Sequence, residues 1–424
     1  MTATARIASP HPPRAARENR RLALSFSYFA LLLASYYMIR PLRDAFGAGS
    51  GSATIKYLAS AVFVAMLAIV PVFGWLVAHV RRARLLPLTY AFFVVNLAAF
   101  GVLFAIDPEN PWSGRVFYVW ATVFNLFVVS VFWSFMAEIW HEEEGRRLFG
   151  VIAAGGSLGG LGGPLLTRAL VGTVGTAGVA FIAAGLLAGT VVMIVLLARD
   201  ARDSAGTDAA APRLDEPVGG PMLAGLSRLV RSPFLLGIAA LVAFGSLLGM
   251  IVYIEMARFA GTLYATAAER TAFYSQRDLW VNGASLVLQF FVVGRLTGRF
   301  GVRPTLVGAI GAVSVAFLAL ALAPVVGMLV FVNVALRATE FGIGKPSRDM
   351  LYTVVDPETK YKVKNVIDTV VYRGSDAAST WIHAALVAAG ATLGGLAALA
   401  AVIAAGLAGI AWGVGSGYRR RGGA

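Results

Sequence analysis

Twelve apolar segments separated by short polar connections make up most of this 424-residue chain. Each segment has roughly 20 or more residues, which is enough for a helix to cross about 30 Å of hydrocarbon. The segments cover residues 22–47, 54–79, 85–106, 114–140, 147–171, 174–198, 233–259, 272–298, 302–323, 326–355, 364–389 and 391–415. The sequence therefore predicts an all-α integral membrane protein with twelve transmembrane helices.

The composition narrows the class of function. The chain is 58% hydrophobic and 14% charged, whereas soluble domains are about a quarter charged. Because cysteine is absent and the four histidines lack ligand spacing, we expect no metal site and no cofactor. The chain has no phosphate-binding Walker motif and no arrangement of nucleophile and base, so we expect no enzyme activity. The net charge of +14 lies mainly in the connections, which argues against nucleic acid binding.

Basic residues concentrate in every second connection. The connections after segments 5, 9 and 11, which lie between the basic ones, contain no Lys or Arg. Positive connections remain on the cytoplasmic side of a membrane. We therefore expect both termini in the cytoplasm. We also expect the protein to be a monomer in a bacterial inner membrane.

The same pattern divides the chain into two halves. Residues 1–21 form an N-terminal tail, 22–198 the first six-helix half, and 199–232 a linker rich in Ala, Asp, Pro and Gly. Residues 233–415 form the second six-helix half, and 416–424 a basic tail. Within the first half, the glycine-rich residues 155–163 place small side chains four apart, which permits close helix packing.

The connection between segments 8 and 9 carries a motif, Gly294-Arg-Leu-Thr-Gly-Arg-Phe-Gly-Val-Arg303. It resembles the G-x-L-x-D-R-x-G-R-R signature of the major facilitator superfamily, with Gly298 at the acidic position. The alternative is an ordinary basic loop. Segments 3, 6, 9 and 12 also lack ionisable residues in mid-span, and in that fold these helices face lipid while helices 1, 4, 7 and 10 line a central cavity.

Three further stretches resemble the ATP/ADP translocase family of plastids and intracellular bacteria. They are Tyr36-Tyr-Met-Ile-Arg-Pro-Leu-Arg-Asp44, Phe132-Trp-Ser-Phe-Met-Ala-Glu-Ile139 and Lys345-Pro-Ser-Arg-Asp-Met-Leu-Tyr352. The run from Thr359 to Asp368 is similar as well. The resemblance covers most of the chain in order and implies exchange of nucleoside triphosphate for diphosphate.

That family depends on two lysines and two glutamates in its cavity. By local motif, the resemblance places the cations at Arg43 and Arg348 and one carboxylate at Glu255. Thr122 occupies the position of the second glutamate, so the identity of the substrate as a nucleotide stays open. Glu340 lies at the equivalent position in the second half and is a candidate substitute.

The charged residues within apolar segments independently indicate an anionic substrate. Arg40, Arg337, Lys345 and Arg373 add to Arg43 and Arg348, and guanidinium groups match phosphate and carboxylate oxygens in bidentate pairs. The alternative is that Arg337 with Glu340, and Arg373 with Asp376, form ion pairs that lock helices. Both interpretations are compatible with charges lining a wet interior.

Three functions remain open from the sequence. The first is a secondary transporter with alternating access that exchanges an anionic, phosphorylated metabolite such as a nucleotide. The second is a proton-coupled transporter of an unrelated solute, with Glu255, Asp368 or Asp376 carrying the proton. The third is a membrane sensor or scaffold that does not transport.

Overall fold

The computed structural model describes residues 14–79, 82–140, 142–205, 222–356, 359, 363–364 and 366–423, which form helices and short connections without any strand. Most of the predicted N-terminal tail and the central part of the linker lie outside these residues. So do Lys360 and Lys362 of the run that resembles the translocase family.

The first half begins with four helices separated by short connections. They are α1 (Arg14–Gly49), α2 (Ile55–His79), α3 (Arg82–Ile106) and α4 (Pro111–Ile139). A helical stretch of 64 residues, Glu142–Ala205, follows and contains one non-helical residue, Gly175, at φ 67° and ψ −176°. At 1.5 Å per residue such a stretch would reach about 96 Å, far more than a bilayer, so it forms two spans. Gly175 separates α5 (142–174) from α6 (176–205), and its positive φ suits glycine because glycine has no Cβ.

The second half also contains six helices, and three of them depart from regular α-helical geometry. The six are α7 (Pro233–Leu263), α8 (Ala267–Phe300), α9 (Val302–Leu322), α10 (Val326–Val354), α11 (367–388) and α12 (Leu393–Arg420). Each of α8, α10 and α11 contains a π-helical turn, at Leu288–Val293, Glu340–Gly344 and Ile367–Val371 respectively. Such turns are rare and often occur at functional sites.

The prediction of twelve transmembrane helices is confirmed. Ten helices in the described part of the chain are long and apolar enough to cross a membrane, and one of these, Arg147–Asp200, is the pair α5 and α6. The twelfth is α11, which carries the charges of Asp368, Arg373 and Asp376. Part of the predicted linker is helical, because the helix Met222–Arg231 lies just before α7.

The glycines of α5 pack directly against the backbone of α1, as predicted. A Cβ atom added at Gly155 would lie 2.5 Å from the carbonyl oxygen of Phe26, and one at Gly159 would lie 2.3 Å from that of Ala30. Real Cβ contacts are never so short, so larger residues at these positions would force the helices apart.

The two halves have separate hydrophobic cores that join at one end of the bundle. We call the end where α1 begins and α12 finishes the terminal end, and the opposite end, where α1 finishes, the far end. Tyr253 and Ala260 of α7 and Tyr274 of α8 belong to the core of the first half. The halves are therefore packed together towards the far end.

Candidate functional site

A cavity of about 610 Å³ lies between the two halves. Among the described residues, α3, α5 and α6 contribute nothing to its lining. The expectation that helices 9 and 12 avoid the cavity fails, because α9 contributes four apolar residues and α12 contributes Leu407. Apolar side chains can face either lipid or a cavity, so the lack of charge in these segments could not distinguish the two.

Charged side chains of both halves meet in this cavity. Seven of its lining residues are basic and four are acidic. The basic ones are Arg40, Arg43, Arg277, Arg337, Lys345, Arg348 and Arg373, and the acidic ones are Asp44, Glu340, Asp368 and Asp376. The lining therefore carries more positive than negative side chains.

Asp44 is the centre of an ion-pair network that joins the two halves. One of its oxygens accepts hydrogen bonds from the neighbouring Arg43, at 3.0 and 2.6 Å, and from the hydroxyl of Tyr253, at 3.2 Å. The other accepts a hydrogen bond of 2.6 Å from Arg277 of α8, which lies 233 residues further along the chain. Asp44 and Arg277 are only 1% and 4% exposed in their side chains, so their charges compensate each other away from water.

A second carboxylate, Asp278, completes this network. It accepts hydrogen bonds of 3.0 and 2.6 Å from Arg277, and the Nε of Arg40 lies 3.5 Å from its other oxygen. We call the five residues the far-end network: Arg40, Arg43, Asp44, Arg277 and Asp278. The sequence contained a signal for its missed members, because the Arg-Asp pair of α1 recurs inside the apolar segment of α8.

Other contacts at the far end also cross between the halves. Arg270 of α8 forms an ion pair of 2.6 Å with Glu109, which lies between α3 and α4. Trp381 of α11 donates a hydrogen bond of 3.1 Å to Ser60 of α2, and the ammonium group of Lys56 lies 4.8 Å from the Trp381 ring.

Towards the terminal end, by contrast, the ion pairs of the described residues stay within one half. Arg20 pairs with Asp200 in the first half, and Lys364 pairs with Asp349 in the second. Ion pairs between described residues thus hold the halves together at the far end but not at the terminal end.

In the second half, Glu340 and Arg348 face each other across the π-helical turn of α10. The two nitrogens of Arg348 contact the two oxygens of Glu340 at 2.6 and 3.0 Å. Because a π-helical turn holds an extra residue, positions 340 and 348 share a face, as residues seven apart do in a regular α-helix. The alternative pair of Glu340 with Arg337 is not formed.

The second ion pair considered from the sequence, Arg373 with Asp376, is formed. Arg373 lies 3.3 Å from Asp376, whose second oxygen accepts a hydrogen bond of 2.5 Å from Ser246 of α7. Arg337 and Lys345 also line the cavity, and neither forms an ion pair with any described residue. These two side chains are cations available to an anion in the cavity.

The resemblance to the ATP/ADP translocase family places its two glutamates at Thr122 and Glu255, and these two residues have different environments. Thr122 lines the cavity, and its hydroxyl donates to the backbone oxygen of Tyr118 at 2.8 Å. Glu255 is 2% exposed and is not part of the lining; it lies 2.8 Å from Arg258 and 2.9 Å from His383 of α11. The remaining candidate proton carriers, Asp368 and Asp376, do line the cavity.

Comparison with proteins of known structure gives the same architecture. A transporter of the POT family, PepTSo, aligns over 97% of this chain and 99% of its own, with 12% identity and a TM-score of 0.62. A bacterial homologue of the human lysosomal transporter Spinster, in an inward-facing and unoccupied conformation, aligns over 96% of both chains with 13% identity and a TM-score of 0.58. The nucleoside transporter NupG aligns over 96% of this chain and 99% of its own, with 14% identity and a TM-score of 0.55. At such identities the likeness shows the fold alone.

No curated protein matches the sequence. The sequence model of the Major Facilitator Superfamily, however, matches residues 21–345, which is well over half of the chain. Together with the twelve helices in two halves, this match shows that the chain belongs to the Major Facilitator Superfamily.

Proposed function

We propose that this member of the superfamily is a secondary active transporter that exchanges an anionic, phosphorylated metabolite, such as a nucleotide, by alternating access. Superfamily membership makes the protein a multi-pass membrane transporter of a small molecule rather than an enzyme. We further propose that the substrate is an anion and that transport is by exchange. The protein would be a monomer in a bacterial inner membrane, with both termini in the cytoplasm.

Arg337 and Lys345, two cations that form no ion pair with any described residue, carry the proposal. A cationic side chain without a partner in a membrane interior is costly, and such residues usually mark a pathway for substrate or ions. Arg348 lies on the same helix and holds Glu340 with both guanidinium nitrogens. A phosphate group offers that guanidinium the same bidentate geometry as the carboxylate does. The cavity volume of about 610 Å³ lies within the usual range of small-molecule pockets.

Arg43 gives the substrate a route to the far-end network. Its side chain is 16% exposed, lines the cavity and also bonds to Asp44. An anion that binds Arg43 competes with Asp44 inside the first half, whereas the contact that crosses between the halves is that of Asp44 with Arg277. A substrate at Arg43 therefore reaches the far-end network without breaking the tie between the halves.

Anion binding is tested with purified protein and two variants, Arg43→Ala and Arg348→Ala. Loss of one partner of a desolvated charge pair costs about 2–5 kcal/mol, so both variants should lose micromolar binding in a thermal-shift titration against nucleotides and sugar phosphates. Arg299→Ala, at an exposed arginine outside the cavity, is the matched control and should bind like the wild type. Wild-type affinity in Arg43→Ala and Arg348→Ala would contradict the assignment.

A proton-coupled transporter is the second candidate, because the carboxylates Asp368 and Asp376 line the cavity. The two functions differ in what drives transport. Exchange requires a substrate loaded on the opposite side of the membrane, whereas proton coupling requires an imposed pH gradient. Uptake of a labelled substrate into proteoliposomes, with each condition applied separately, distinguishes them.

A further inference from the structure

A second pocket, of about 360 Å³, lies at the terminal end and is separate from the central cavity. Its lining lies at the ends of three spans: Ser232 precedes α7, Arg421 follows α12, and Asp356 follows α10. Lipid headgroups lie directly outside the hydrocarbon core of a bilayer. The pocket therefore lies at the depth of the headgroups.

The pocket is positively charged. Three arginines, Arg228, Arg231 and Arg421, line it together with a single acidic residue, Asp356. The guanidinium group of Arg421 lies 4.5 Å from the centre of the Phe234 ring, which holds it at the rim. Three positive groups against one negative group suit an anion rather than a cation.

The linker helix Met222–Arg231 also exposes apolar side chains, on the face turned away from Arg228. Leu229 is 3% exposed and packs into the core, whereas Leu226 and Val230 are 45% and 61% exposed. Arg228 and Arg231 lie in the last turn of the same helix. A helix with exposed apolar side chains and basic residues at headgroup depth is typical of helices that lie in the membrane interface.

We propose that this pocket binds the phosphate headgroup of an anionic phospholipid. Arg231 and Arg421, with Arg228, contact the phosphate, since guanidinium groups match its oxygens. Anionic lipids attract basic segments close to the membrane surface, and the position of the pocket at headgroup depth favours a lipid over a soluble phosphate.

The test is native mass spectrometry of the full chain in detergent with equal amounts of phosphatidylglycerol and phosphatidylcholine. We expect wild-type protein to retain phosphatidylglycerol in preference by roughly tenfold or more. The double variant Arg231→Gln/Arg421→Gln should lose this preference. The matched control is Arg295→Gln/Arg299→Gln, which removes two exposed arginines from the terminal end of α8 and should keep it. Equal retention of both lipids by wild type, or equal loss in the control, would overturn the proposal.

A second experiment distinguishes binding of a lipid from binding of a soluble anion. Glycerol 3-phosphate, which has the charge but no acyl chains, should raise the melting temperature far less than phosphatidylglycerol at the same concentration. Equal protection by the two would show a site for soluble phosphates and not for lipid. If loss of Arg421 from the Phe234 ring unfolds the double variant, Arg231→Gln alone provides the test, because Arg231 is exposed.

Discussion

The arginines of the far-end network and two cations of the second half, Arg337 and Lys345, differ in whether a carboxylate already compensates them. In the far-end network, the three arginines share Asp44 and Asp278, both at most 1% exposed. In the second half, Arg337 and Lys345 line the cavity without an ion-pair partner among the described residues. Both groups are cationic, but Arg277 of the first contacts Asp44 across the interface between the halves, whereas the two side chains of the second have no such partner. We therefore expect loss of Arg277 to act mainly on stability, and loss of Arg337 and Lys345 to act mainly on anion binding.

The largest effect should come from breaking the far-end network. Arg277→Ala leaves Asp278 and Asp44 with unbalanced charge in a buried site, and removing one partner of a buried ion pair costs about 3–5 kcal/mol. We expect a lower melting temperature and faster hydrogen exchange at the far ends of α1 and α8. Glu109→Gln, at a partly exposed pair of the same end, should change both far less. Unchanged stability in Arg277→Ala would mean that the network does not hold the halves together.

The double variant Arg337→Ala/Lys345→Ala should lose anion affinity and keep its stability. Neither side chain pairs with a described residue, so we expect little change in melting temperature. Anion affinity should fall by roughly a hundredfold, which corresponds to about 2.8 kcal/mol, because two direct contacts are lost. A thermal-shift titration with nucleotides and sugar phosphates measures both quantities. A large loss of stability with unchanged affinity would reverse the two roles that the comparison assigns.

A smaller effect is expected from Glu340→Gln. The carboxylate is 39% exposed, and exposed ion pairs contribute about 0–1 kcal/mol, so stability should change little. Arg348 would no longer be neutralised, and affinity for an anion should rise up to about tenfold, or 1.4 kcal/mol. Glu144→Gln, at a carboxylate outside the cavity, serves as the control. Weaker anion binding in Glu340→Gln would mean that the carboxylate belongs to the binding site itself.

The smallest effect should come from Thr122→Glu, which restores a carboxylate at the position of the missing family glutamate. A fixed negative charge in a water-filled cavity penalises a ligand by about 1 kcal/mol per unit of ligand charge. The variant should therefore shift its preference among anions of different charge. Because the resemblance implies that the missing glutamate acts in coupling, we expect wild-type protein to exchange ATP for ADP poorly. Uptake of labelled ATP into ADP-loaded proteoliposomes measures both. Rapid exchange by wild type would show that Thr122 does not prevent nucleotide transport.

The candidate site was only partly predictable. Arg43, Arg348, Lys345 and Arg337 could be named because a charge inside an apolar segment is visible in the sequence and needs a reason to be there. Arg277 and Asp278 carried the same signal in segment 8 and were missed. His383, which lies 2.9 Å from Glu255, had no signal at all, since a histidine in an apolar helix does not indicate what it contacts.

The sequence by itself determined the number of spans and the division into two halves. These follow from the length of the apolar runs and from the breaks between them, which are properties of consecutive residues. Glycines four apart likewise determined the close packing of α1 and α5.

Only the tertiary structure determined which charged side chains contact each other. Asp44 and Arg277 lie 233 residues apart, and their contact depends on how α1 and α8 are placed across the interface between the halves. Glu340 contacts Arg348 rather than Arg337 because the π-helical turn rotates one part of α10 against the other. Ion pairs require particular distances and directions between side chains, and these are set by the packing of helices rather than by the order of residues.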